Sequence, residues 1–213
     1  MDRKIHIYSV VIILAIILIY ASNMAYAQTE IGQTIGLDIK FEQTPIFCIN
    51  SNSEKHQQLV IDGIRDWQKK LRDYTNSTNW RLGIEINPII QNDCTVRIEL
   101  KEKPDKNDLQ FRYGYTLLKH NKALTTIFTT MYFDPTALIT NDVDGRKLTE
   151  KYRELPSESI SYIIRHEIGH TLALKHQEQD SIMTENFSIN TISKKDLQTV
   201  VLIHGKDWVH KLA

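Results

Sequence analysis

The sequence has no surplus charge of either sign. Its 26 lysines and arginines balance 26 aspartates and glutamates, a formal net charge of +0 at pH 7. Without a global basic field, nothing recruits a nucleic-acid backbone or an anionic lipid surface, so neither is expected among its partners. Basic runs such as Lys101-Glu102-Lys103-Pro104-Asp105-Lys106 are short and broken by acids, as solvated loops are. Internal repeats and low-complexity segments are missing. So are glycine-rich phosphate loops, paired Cys-x-x-Cys motifs and serine-nucleophile elbows, which removes the enzyme classes those signatures carry. Cysteine is scarce too, with Cys48 and Cys94 alone in 213 residues.

What is present is the composition of a globular protein, 41% hydrophobic and 24% charged, with length for one ordinary domain. The first residues stand apart. Met1 to His6 is short and net positive, and an apolar run follows from Ile7 to Tyr20. Ala25-Tyr26-Ala27 then forms an A-x-A cleavage pattern before Gln28. We read residues 1–27 as a signal peptide cut after Ala27. The alternative is an uncleaved anchor: Ile7 to Ala21 falls short of the roughly 20 residues that span a bilayer, although Ile5 to Ala27 would suffice. Either way the working domain is extracytoplasmic, secreted or held at the cell surface, and any membrane contact runs through this segment alone. An oxidising compartment and an even count favour a disulfide between Cys48 and Cys94. Residues 28–43 read as a short leader and 44–213 as a single domain, expected to act as a monomer.

Along that domain, Thr44 to Asn50 has strand character and ends in turn residues. Leu59, Val60, Gly63, Ile64, Trp67 and Leu71 recur at helical spacing, giving an amphipathic helix from Glu54 to about Tyr74. Trp80–Ile89, Cys94–Glu102, Phe111–Lys119 and Ala123–Phe133 read as strands. Asp134 to Leu155 is polar and reads as a loop or lid. Pro156 and Ser157 open a second helix, and a last one runs from about Ser193 to His204, closed by Gly205. This order implies an α+β domain, a mixed twisted sheet packed by two long helices with a small C-terminal subdomain.

The second helix carries the chemistry, His166-Glu-Ile-Gly-His-Thr-Leu-Ala-Leu-Lys-His176. His166 and His170 are four apart and so lie one above the other. Glu167 falls within the apolar arc of Ile160, Ile163, Ile164, Ile168 and Leu172. A carboxylate there costs several kcal/mol or more unless compensated. Zinc accounts for both oddities: two imidazoles one turn apart can share one ion, and an adjacent carboxylate can take a proton from a water that the ion acidifies. On a continuing helix His176 would lie about 9 Å beyond His170, so the helix must stop near Ala173 and the chain turn back.

This stretch resembles the metzincin signature of zinc endopeptidases, HExxHxxGxxH. Ser181-Ile182-Met183 resembles the methionine turn of that clan, and Asp196 to Gly205 resembles the end of its C-terminal helix in matrixin-like members. The resemblance spans most of Thr44 to Gly205 and implies a zincin fold that hydrolyses proteins or peptides. It further implies Zn2+ on His166, His170 and His176, Glu167 as general base, and Met183 as an apolar floor. It also implies a substrate-aligning edge strand within Tyr113 to Lys119, including Gly114, Tyr115, Thr116 and Leu117. Ala173 departs from the family's glycine, and an alanine in a left-handed conformation there costs about 1–2 kcal/mol. Glu178 or Asp180 would be the nearest substitutes for His176. Two alternatives stand beside the endopeptidase: a non-catalytic zinc-binding interaction module, and an HExxH hydrolase outside the metzincins with an acidic third ligand.

Overall fold

The computed structural model describes residues 41–88, 94–104, 113–119, 122–133, 151–184 and 191–205. The expected signal peptide, 1–27, and the expected leader up to residue 40 lie outside the described residues. Among them, no helix is long and apolar enough to cross a membrane. Phe41, the first described residue, is buried in the core.

The elements run β1 (Ile46–Asn50), α1 (Glu54–Thr75), β2 (Gly83–Ile86), β3 (Val96–Lys101), β4 (Gly114–Lys119), β5 (Lys122–Phe128), β6 (Thr130–Phe133), β7 (Lys151–Glu154), α2 (Ser157–Thr171) and α3 (Lys194–His204). Five strands form one sheet in the order β2-β1-β3-β5-β4. Its inner pairs are parallel, and β4 returns antiparallel along β5 at the edge. The α+β class therefore holds, as a mixed, largely parallel sheet with packed helices.

Two sequence readings change. Ala123 to Phe133 is not one strand. β5 ends at Phe128, Thr129 donates its N–H to the Lys101 carbonyl, and β6 leaves the main sheet to pair antiparallel with β7. The second follows directly: Asp134 to Leu155 is not loop throughout, since Lys151–Glu154 is strand β7. Its polar residues hid it because a short two-stranded ribbon needs no buried apolar face to form its ladder.

Helix α1 begins at an N-cap, Ser53, whose hydroxyl accepts from the His56 N–H, and ends at Asn76 in the left-handed region. Its apolar stripe of Val60, Ile64, Trp67 and Leu71 is fully buried. At Gly63 the helices α1 and α2 approach so closely that a Cβ would lie 2.5 Å from Ile164 Cγ2. Glycine in mid-helix costs roughly 0.5–1 kcal/mol. Here it admits α2 against α1, and the Trp67 indole N–H seals the contact by donating to the Arg165 carbonyl at 2.9 Å. The disulfide Cys48–Cys94 joins β1 to the segment before β3. Although Glu85 lies beside these two sulfurs, the bonded pair leaves no thiolate for a metal.

Candidate metal centre

Helix α2 ends where the motif needs it to. Leu172 caps it, the Leu174 N–H reaches back to the Gly169 carbonyl and the Ala173 N–H to the His170 carbonyl, each at 3.0 Å. This is the Schellman closure, whose first residue past the cap adopts the left-handed conformation. Ala173 occupies that place with φ 68°. The chain reverses there and carries His176 back over the helix end.

The three histidines converge. His176 Nε2 lies 3.2 Å from His166 Nε2 and 3.1 Å from His170 Nε2. Ligand nitrogens about 2.0–2.1 Å from a tetrahedral ion would be separated by about 3.3 Å. Among the described residues, His176 rather than Glu178 or Asp180 joins the other two.

The ring tautomers say what fits between them. His166 Nδ1 is 2.9 Å from the Ile182 carbonyl, and His170 Nδ1 is 2.8 Å from the Leu174 carbonyl. A carbonyl accepts only, so both Nδ1 atoms carry the proton and both Nε2 atoms present lone pairs. His176 can donate to one of them and leaves the other facing a lone pair. Protonating His170 is no remedy: burial, and the neighbouring His166 behind it, push its pKa down to about 3. A cation satisfies all three nitrogens at once, so the donor set fits a metal ion.

Glu167 is 5% exposed. Burial drives its carboxyl up to about 7, and the Thr116 hydroxyl partly offsets this by donating to Oε2 at 2.7 Å. Thr116 is on β4, so the edge strand and the motif helix meet at this carboxylate. Gly114, two residues earlier on the same face, leaves space beside it: a Cβ there would be 2.7 Å from the Thr126 carbonyl and 3.4 Å from Glu167 Oε1. Of the expected edge-strand residues, Gly114, Tyr115 and Thr116 line an open cleft of about 530 Å3 with Glu167, His170, Lys175 and His176. Tyr113 precedes β4, its carbonyl accepting from Phe128 N–H, and Leu117 points elsewhere.

Met183 is fully buried beneath the motif. Its sulfur lies so close to Gly169 that a Cβ on that residue would come within 2.3 Å of it. The second glycine-dependent contact of α2 is thus with the methionine turn. Ser181 shapes that turn, its hydroxyl accepting from Met183 N–H at 2.9 Å and its carbonyl from Thr184 N–H at 3.2 Å.

Two further residues acquire roles that no sequence pattern assigned. Asp196, fully buried in the first turn of α3, accepts from the Ser181 hydroxyl, the Ile182 N–H at 3.0 Å and the Ser193 N–H at 2.7 Å. The backbone of Ile182 is therefore gripped at its N–H by Asp196, while its carbonyl orients His166. His204 is buried, and its Nε2–H donates to the Leu172 carbonyl at the end of the motif helix. Ser193-x-x-Asp196 is legible as a capping box. Its reach into the methionine turn is tertiary and leaves no local signal.

No protein-family model matches the chain, and no curated protein matches it. Among solved structures it is similar to archaemetzincin from Methanopyrus kandleri, with TM-score 0.41 and 11% identity, over 77% of this chain and 97% of that one. It is similar also to myroilysin, with TM-score 0.43 and 12% identity, over 82% of this chain and 96% of that one. A second myroilysin structure gives TM-score 0.41 and 14% identity, over 78% and 84% of the respective chains.

Proposed function

We propose that this protein is an extracytoplasmic zinc endopeptidase of metzincin type. One observation carries the reading: a buried carboxylate, Glu167, lines the same cleft as His170 and His176, whose Nε2 atoms converge with that of His166. A structural metal site would leave Glu167 unexplained, since it contributes no ligand atom to the cluster. His166, His170 and His176 would hold the ion, with the Ile182 and Leu174 carbonyls fixing the first two rings. When bound there, zinc supplies Lewis acidity, which polarises a peptide carbonyl and makes a water acidic enough to ionise near neutral pH.

The chain's own residues do the rest. The edge of β4, outermost of the described strands, pairs with an extended peptide, and Gly114 keeps the approach to Glu167 open. Glu167 takes the proton of the attacking water on a carboxylate oxygen and delivers it to the leaving amide nitrogen. Thr116 holds the other oxygen and steadies the carboxylate between those transfers. Met183 closes the floor against solvent.

The test uses residues 28–213, with metal content measured on the purified protein and turnover on casein and a quenched peptide. One zinc per chain, chelator-sensitive turnover and its loss in Glu167→Ala are expected. Activity that survives Glu167→Ala would sink the mechanism. Zinc without turnover would leave only an interaction module.

A further inference from the structure

Strand β4 borders two cavities. Gly114 and Thr116 face Glu167, so strand alternation turns Leu117 and Lys119 to the opposite face of the sheet. The register there is explicit: Leu117 pairs with Leu124, Leu124 with Arg97, and Lys119 with Lys122. These side chains line a cavity of about 290 Å3, which also touches Thr95. That is the small end of ligand cavities, suited to one or two side chains. Leu117 is 53% exposed in it, an apolar residue set between cations.

Among the described residues the charges lining this cavity are all of one sign, those of Arg97, Lys119 and Lys122. Among the described residues no hydrogen bond or ion pair engages the side chains of Arg97 or Lys119. The acids nearest in register are Glu99, two residues along β3, and Glu85, two strands away across Cys48, and neither lines the cavity.

We propose that Arg97, Lys119, Leu117 and Leu124 form a substrate subsite for an acidic side chain, the leucines seating its methylene stem and the cations its carboxylate. The occupant is a peptide extended along β4, the outermost of the described strands, so the inference rests on the function proposed above. At about 3.4 Å per residue, Thr116 to Lys119 spans roughly 10 Å. A peptide whose reacting bond lies beside Glu167 therefore reaches this cavity two to four residues from that bond. The substrate class is then an extended peptide with an acidic residue at that distance.

The experiment measures binding and turnover separately. Fluorescein-labelled ten-residue peptides carry glutamate or glutamine two to four positions from the central bond, on either side. Their affinity for the zinc-loaded Glu167→Ala protein is read by fluorescence polarisation. Glutamate at one of these positions is expected to tighten binding about three- to tenfold over glutamine, the range for one or two exposed charge pairs. The preference should vanish in Arg97→Gln/Lys119→Gln, with glutamine-peptide affinity unchanged, and should collapse as salt rises from 0.05 to 0.5 M. Lys119→Glu, at an exposed position, gives an independent reading and should reverse the preference. Equal binding of both peptides, or a preference that survives these substitutions, would overturn the subsite. Turnover of the glutamine peptide by the unsubstituted protein tests proteolysis alone: turnover without preference removes the subsite only, and preference without turnover removes the proteolytic reading only.

Discussion

Replacing Glu167 by glutamine should abolish turnover and stabilise the metal-free fold. The carboxyl group rises from 4.5 to about 7 because burial disfavours its charge. Between those values the native state holds a proton that the unfolded chain has lost, so the native state loses stability as pH climbs through the window. At pH 8 the whole cost is present. Moving a carboxyl from 4.5 to about 7, at about 1.4 kcal/mol per pH unit, gives roughly 3.5 kcal/mol, an upper figure because the site can admit water. Glutamine has the same shape, carries no charge and can accept from the Thr116 hydroxyl. For a domain of this size 1 kcal/mol moves Tm by about 2–4 °C, so Glu167→Gln should melt up to roughly 7–14 °C higher at pH 8. At pH 4 the gap should close, because the unsubstituted residue is then protonated in both states. The depressed His170, which destabilises the fold as pH falls below 6.5, is common to both proteins and cancels in the difference. Circular-dichroism melts of chelator-dialysed protein at the two pH values measure this. Added zinc should shrink the gap, since a cation beside the carboxylate favours its charged form. A Glu167→Gln protein that melts at or below the original at pH 8 would refute the account of Glu167 as a desolvated carboxylate.

Thr116→Val removes the hydroxyl that lowers the Glu167 pKa. The acid limb of kcat/KM should move up by about one to two pH units, the worth of a hydrogen bond to a charged group, and Thr116→Ser should restore it. Ala173→Gly relieves the left-handed alanine after α2 and should raise stability by about 1 kcal/mol in denaturant titrations, with metal content unchanged. Asp196→Asn puts an amide N–H against groups that donate to the carboxylate. It should weaken zinc affinity at least about tenfold in a chelator competition, because the Ile182 carbonyl that orients His166 loses its anchor. Cys48→Ala/Cys94→Ala opens a link spanning 46 residues. On the chain-entropy estimate that costs about 4 kcal/mol, read as a lower denaturant midpoint with turnover preserved in the folded fraction.

Local order alone determined a good deal here. Helix α1 was legible because its apolar residues recur at helical spacing, and α2 because its one discordant residue, Glu167, adjoins two histidines four apart. The need for a reversal near Ala173 followed from helix geometry, since an unbroken rise would carry His176 out of reach. The α+β class followed from element order, and the cysteine pairing from an even count. Each of these depends on neighbours within a few turns of chain, or on composition.

Tertiary structure decided the rest, because it depends on groups remote in sequence meeting at atomic distance. No local pattern brings Thr116 to Glu167, Asp196 to Ile182, or Met183 onto Gly169. Nor could one show that Ala123–Phe133 divides between two sheets, since a change of pairing partner alters the ladder and not the side-chain alternation. The tautomers of His166 and His170 are also decided there, by the carbonyls of Ile182 and Leu174. A histidine codon supplies a ring with two nitrogens; only the folded chain settles which one keeps its proton and which one turns toward the other two imidazoles.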